Sequence, residues 1–471
     1  MRSRKWRVLG VLLVLAIVLG ALAWYHLLRQ VPQAPFANTE EAFKYGSIGA
    51  EDAAGLPYWI WYVLPRVFPD YLPRPGGYAS LGLPWEPGKE TPIGFSRRTI
   101  GFERIAINCA FCHTTQVRQE AGGVPKIYPG GASNTFDVLA YQRFLFNCAA
   151  DPRFNAKELL HAIAQVHELS FVERTLYRFA LIPQTRKALL KQKKDFEWTE
   201  SRPDWGPGRI DPFNPVKVAI LNTPVADTIG NSDMVPIWNL GAHEGISYHW
   251  DGMNDNIDEV FRSSSLGDGA TPKSIPLEHL AALRDWLKEV MPPAYPFPVN
   301  AELAKAGQPI YAQHCGDCHE RGGSRTGKVE PLASVGTDPH RSAMWRQDSA
   351  DAYNAYVSDY PWGFKGFRAT DGYVNMPLDG LWIRAPYLHN GSVPTLADLL
   401  ETPDRRPKAF YRGYDVFDPV RVGFISDGPD AQRLGMRIDV SQPGNGNEGH
   451  LWGTQLSPQE KTALLEYMKT L

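Results

Sequence analysis

Two short runs hold the residues whose types and spacing can do chemistry: Cys109-Ala-Phe-Cys112-His113 and Cys315-Gly-Asp-Cys318-His319. Each sets two thiols and an imidazole at positions i, i+3 and i+4, which share one face when the run is helical. On one face, both sulfurs can bond the vinyl carbons of a haem while the histidine turns toward its iron. This is the attachment signature of a c-type haem. A Cys-x-x-Cys pair alone would also serve a dithiol–disulfide couple or half of a four-cysteine zinc site, but neither uses a histidine after both pairs. Two covalently bound haem c groups are therefore expected, with Cys109, Cys112, Cys315 and Cys318 as attachment points and His113 and His319 as proximal ligands. The fifth cysteine, Cys148, then has no partner for an internal disulfide and reads as a small apolar core residue.

The elements that must position these runs can be read from the rest of the 471 residues, a length that suits roughly two to four domains. The reading is mainly α: two cytochrome c-like haem domains with long irregular loops, plus an N-terminal transmembrane helix. Arg2, Arg4, Lys5 and Arg7 precede an apolar run from Val8 to Tyr25, so residues 1–30 are expected to be a membrane anchor or uncleaved signal with the amino terminus inside. With c-type attachment being an outer-compartment maturation in bacteria, this predicts a single-pass inner-membrane protein whose haem domains lie in the periplasm. Residues 31–298 form the expected first haem domain, with a helical insertion over about 156–194. Apolar spacing predicts a helix from Leu277 to Val290, and the proline run from Pro292 to Pro298 breaks it and marks the domain boundary. Residues 299–471 form the second domain, opened by a helix over Ala301–His314. It is closed by one whose start, Ser457-Pro458-Gln459-Glu460, has the form of a capping box with proline at the first position. Apolar residues make up 43% of the chain, enough for sizeable cores, and the net charge of −2 argues against nucleic acid as a partner.

Several stretches resemble the superfamily of di-haem cytochrome c peroxidases, MauG-type enzymes and RoxA-type rubber oxygenases. Met234-Val-Pro-Ile-Trp-Asn239 followed by Tyr248-His-Trp250-Asp-Gly252 is similar to the family's segment ending in aromatic-Trp-Asp-Gly. Arg384-Ala-Pro386-Tyr-Leu-His389-Asn-Gly resembles its Pro-Tyr-aromatic-His-Asp/Asn-Gly stretch. Gly206 to Pro215 and Gly449-His450-Leu-Trp-Gly453 look closest to RoxA-like proteins. The resemblance implies that Trp250 lies between the two haems and that His249 replaces an aromatic neighbour, where it could act in acid–base chemistry. For the sixth position of the second iron it points first to His450, then to Met376, then to His389. The first iron has His161, His167, His243 and His249 as possible partners and is expected to stay five-coordinate or weakly ligated. Peroxidases of this group hold a calcium ion between domains; the matching positions here, about Asp233 and Arg384, predict a salt bridge instead, with Asn231 and Asp227 as fallback partners.

The function implied is a di-haem oxidoreductase that takes electrons from a donor protein or quinol pathway at the second haem. Trp250 passes them to the first, which reduces hydrogen peroxide. A RoxA-like oxygenase using dioxygen on an apolar substrate is the alternative enzyme, and a non-enzymatic electron-transfer cytochrome is the alternative of another class. An open iron distinguishes the enzymes from the carrier, because a second strong ligand leaves only electron relay.

Overall fold

The computed structural model describes residues 2–471, with side chains from Trp6 onward except at Val8, Leu19, Leu22 and Ala23. Helices hold 43% of the chain, and between them run short antiparallel strands in one four-stranded and five two-stranded sheets. The expected helices are present where periodicity and caps placed them: Ala156–Ala164 and Ile182–Asp195 in the insertion, Leu277–Glu289, Ala301–Tyr311 and Pro458–Met468. The last has both halves of its capping box, Ser457 Oγ accepting from the Glu460 amide and Glu460 accepting from the Ser457 amide.

The membrane-spanning expectation does not hold. Residues Arg2–Ala23 form a helix, yet among the described residues no helix is long and apolar enough to cross a membrane. The four basic residues occupy its start and the α-helix closes at Ala23, giving way to a π turn over Trp24–Leu28. Its apolar part, from residue 8 to 23, is therefore only about 24 Å long, against roughly 30 Å of hydrocarbon. The single-pass inner-membrane placement built on this helix falls with it.

Four larger cores organise the rest. One gathers the aromatic residues of Tyr58–Val67 and Val138–Ala150, including Trp61 and Phe144, together with Tyr78, Phe95, Phe111 and Phe136. A second lies around Trp382 and Phe417, closed by Leu464 and Met468 of the last helix and Tyr311 of the helix before the second cysteine pair. The second and fourth cores draw residues from both sides of the proline run: Val117 and Trp238 join the former, while Phe213 and Met253 join Trp345 and Tyr353 in the latter. Helices Ala301–Tyr311 and Pro458–Met468 cross so closely that a Cβ on Gly307 would stand 2.1 Å from the Ala463 carbonyl oxygen.

Candidate haem sites

The first cysteine pair does not sit on a long helix. It follows the hairpin strand Phe102–Ile107, which pairs with Phe95–Ile100, and forms a single 3₁₀ turn over Cys109–Phe111. Asn108 builds that turn: its Oδ1 accepts from the Ala110 amide at 3.0 Å, and its Nδ2 donates to the Lys44 and Gly46 carbonyls. Gly94 has φ of 93°, and a Cβ there would meet the Phe111 backbone at 2.4 Å, so only glycine lets the hairpin lie against the turn. The His113 amide donates to the Cys109 carbonyl, closing the loop back on the cysteines.

The second pair follows directly from Ala301–Tyr311, which loosens into a π turn over Ala312–Gly316 before a short helical piece, Asp317–His319. The two motifs thus differ in backbone but agree in how they hold the imidazole. His113 Nδ1 lies 2.8 Å from the Val235 carbonyl oxygen and His319 Nδ1 lies 2.8 Å from that of Met376. A carbonyl can only accept, so each Nδ1 carries the proton and each Nε2 is the free lone pair. A backbone or carboxylate partner on the other ring nitrogen is the usual support of a metal-bound histidine. Burial lowers the His113 pKa to about 4, leaving a neutral imidazole at neutral pH. All five cysteines are free thiols, and burial pushes the Cys109 thiol up to about 12 and Cys315 up to about 11.

Around the second motif lies a cavity of about 180 Å³ walled by Trp250, Cys315, Cys318, His319, Tyr373, Met376, Leu381, Arg384, His389, Leu399 and His450. His450 faces His319 across it with ring centroids 6.1 Å apart. Two metal–imidazole bonds of about 2 Å, with half of each ring added, put the centroids roughly 6 Å apart, so the gap has the width of one bis-histidine iron. His450 is delivered by a fixed loop. Its amide donates to the Val335 carbonyl, and the buried Arg406 donates to the carbonyls of Asn447, Gly449 and His450. Burial, with His319 adding to it, lowers the His450 pKa to about 3. The donor set and the apolar wall fit a haem held by Cys315, Cys318 and His319.

The other two ligand candidates stand differently. Met376 gives its carbonyl to His319 Nδ1, so its loop runs behind the proximal ring, on the side away from Nε2. His389 is buried and stacked on Tyr373 with centroids 3.9 Å apart and an interplanar angle of 18°. Its pKa is pushed well below the usual range by burial and then by Arg341.

Trp250 and His249 occupy the loop between the motifs. Trp250 lines the second cavity, and its indole donates to the Asp233 carbonyl at 2.8 Å. Gly252 has φ of 65°, the tight turn expected after the ring, while Asp251 forms a fully buried pair with Arg341 at 3.1 Å. His249 has an enclosed Nε2 without a partner. Burial lowers its pKa to about 4; of the charges around it, Asp251 opposes the shift while Arg341 and His113 add to it. Beside the first motif the buried hydroxyls of Thr114 and Ser133 also lack partners, and the half-buried Asp268 is raised to about 7 by burial. Thiols, anchored imidazole and unpartnered polar atoms fit a second haem there.

The remaining histidines have other employment. His161 is exposed and meets Gln165, His167 stacks on Trp59 at 4.0 Å, and His243 binds Asp379 at 2.7 Å. The expected salt bridge between Asp233 and Arg384 is not formed. Asp233 pairs with Arg412, while Arg384 turns its guanidinium to the carbonyls of Asp379 and Pro377. Neither Asn231 nor Asp227 replaces it: Asn231 donates to the Pro203 carbonyl at 3.5 Å, and Asp227 lines a separate surface cleft. Residues without a sequence signal, Arg412, Arg341 and Tyr373, thus frame the site. They meet Asp233, Asp251 and His389 at separations of about 16 to 180 residues, and no local spacing announces such contacts. Among the described residues, no cluster of three or more His, Cys, Asp or Glu gathers as a bare metal site.

Comparison with known proteins places this wall in context. The family described as RoxA-like, cytochrome c-like matches residues 372–411, the segment holding Tyr373, Met376, Asp379, Arg384 and His389. The chain is similar to two proteins of Sinorhizobium fredii. With the uncharacterized protein y4iM it shares 28% identity over 221 residues, 42% of this chain and 50% of that protein. With the uncharacterized protein y4iJ it shares 41% over 115 residues, 22% of this chain and 19% of that protein. The chain therefore spans half or less of the length of both relatives. The segment that walls the second cavity relates this chain to the c-type cytochromes, proteins whose cofactor is haem c.

Proposed function

We propose that the chain is a di-haem c-type oxidoreductase that reduces hydrogen peroxide with electrons from a donor protein. The observation that carries this reading is the pairing of His319 and His450 across a gap of one iron's width, with His319 anchored behind by Met376 and His450 by Arg406. Two haems would supply one-electron transfer at the doubly ligated iron and an open coordination position at the other. The chain's own residues do the rest. Cys109, Cys112, Cys315 and Cys318 provide the thioether bonds, and the Val235 and Met376 carbonyls orient the proximal rings. Trp250, fixed by Asp233 in the wall of the second cavity, offers an oxidisable ring for passing electrons toward the first site. His249 is neutral at working pH, so its enclosed nitrogen can take a proton from incoming peroxide and return it to the departing oxygen. Two electrons and two protons per peroxide break its O–O bond and give two waters.

The match to a RoxA-like family favours a second reading, oxygenation of an apolar substrate at the same open position. Both enzymes need one accessible iron, and the spectrum of the reduced protein with and without carbon monoxide tests this. One of two haems should shift. If neither does, both irons are doubly ligated and the protein is a carrier. Peroxide consumption with a reduced donor, against dioxygen consumption with an apolar olefin, then separates the two enzymes.

A further inference from the structure

Arg384 lies within the wall of the second cavity with all its donors turned to backbone. Nε donates to the Asp379 carbonyl at 2.9 Å, Nη1 to the Pro377 carbonyl at 2.8 Å, and Nη2 again to Asp379. These carbonyls belong to the turn whose first member, Met376, holds His319 Nδ1. The guanidinium is therefore fastened to the same turn that holds the proximal imidazole. Among the described residues it forms no ion pair at contact distance. The opposing charge that acts on it is the Asp379 carboxylate, which is already engaged by His243 at 2.7 Å, Arg321 at 2.6 Å and Asn239 at 2.8 Å. Among the protein's own groups, one carboxylate thus faces two guanidiniums. Burial lowers Arg384 only to about 10, so it keeps its charge at neutral pH.

We propose that Arg384 sets the reduction potential of the second site, its buried cation on the turn that holds His319 making the iron held there easier to reduce. Adding an electron to an iron places negative charge near a fixed positive one, and in a poorly polarisable interior that attraction is weakly screened. Potential tuning by charge and burial around an axial ligand is an accepted lever of haem proteins. Arg384 touches neither the iron position nor substrate, so it is a positioning and tuning residue; it rests on the reading of Cys315 to His319 as a haem site.

The test is an optical redox titration of the purified holoprotein, following the low-spin haem, with the other haem as internal control. Arg384→Gln should move the low-spin midpoint to more negative potential, Arg384→Lys should keep it close to wild type, and Asp379→Asn should move it the opposite way. The control haem should stay in place. Opposite shifts from two neighbouring substitutions separate charge from damage to the turn, because damage would displace both in one direction. Equal shifts from the glutamine and lysine variants, shifts of one sign from Arg384→Gln and Asp379→Asn, or no shift with the haem in place would each overturn the role of Arg384 alone. If the Cys109→Ala, Cys112→Ala protein retained no covalent haem on a denaturing gel, the haem site itself would be wrong and the proposal would go with it.

Discussion

His249 and His450 share a feature that no neighbouring residue type requires: both hold positive φ, 64° and 47°. A side chain with a Cβ pays on the order of 1–3 kcal/mol in such a conformation and keeps it only where its surroundings leave no choice. For His450 the constraint is visible in Arg406 and the Val335 carbonyl. Replacing His450 by alanine should convert a low-spin haem to high-spin and add a second carbon monoxide site; an unchanged spectrum would shift the sixth ligand to Met376 or His389. His249 makes a different prediction, in acid. Its pKa in the folded protein, about 4, is below the ordinary 6.5, so the unfolded chain binds the proton first. Stability from this ring is complete above pH 6.5 and is lost as pH falls from there toward 4, at about 1.4 kcal/mol per pH unit. His249→Gln should remove one proton's worth of that slope, which denaturant melts at pH 7, 6, 5 and 4 would resolve. A parallel pair of melting curves would show that His249 titrates freely in the folded state.

Elements were legible in the sequence where their signals are local. The capping box at Ser457 to Glu460 and the apolar spacing of Leu277 to Val290 gave helices within a residue or two of those observed, because caps and periodicity act over one or two turns. The first motif was misread as a helix because its spacing permits one, whereas the preceding hairpin and Asn108 hold it as a single tight turn. The N-terminal run was misread as membrane-spanning because composition does not say where an α-helix stops. Long-range pairing is beyond reach: the expected Asp233–Arg384 bridge is replaced by Asp233–Arg412, because the two arginines look alike in sequence and only the fold chooses between them. At this scale Gly307 gives the sharpest test. A methyl there would press on the Ala463 carbonyl, so Gly307→Ala should cost about 1–3 kcal/mol by overpacking, despite alanine's better helix propensity. A gain in melting temperature would mean that the two helices can part without loss.

Across the whole molecule, the loop from His249 to Gly252 is where the two halves of the proposed chemistry meet. The Asp233 backbone joins them, accepting from Trp250 and donating its amide to the His389 carbonyl, with its carboxylate locked to Arg412. Trp250→Phe keeps most of the ring volume but removes the indole donor and raises the difficulty of oxidising the ring. Peroxide turnover should fall at least about tenfold, roughly 1.4 kcal/mol on the barrier, with both haem spectra intact. Turnover at the wild-type rate would reduce the ring to packing. The unequal wrapping of the two cysteine pairs also bears on biogenesis. Cys112, Cys315 and Cys318 are each partly open, whereas Cys109 is 8% exposed, sealed behind Asn108 in the core of Phe43, Ile48 and Leu240. A thiol so enclosed cannot be reached by an attachment enzyme once the chain has closed. A haem at this pair, as proposed, would have to be joined to a chain still open there, with the hairpin folding around it afterwards. Slow attachment relative to folding would therefore yield a recognisable by-product: protein with the haem at residues 315–319 and an empty, permanently shut first site.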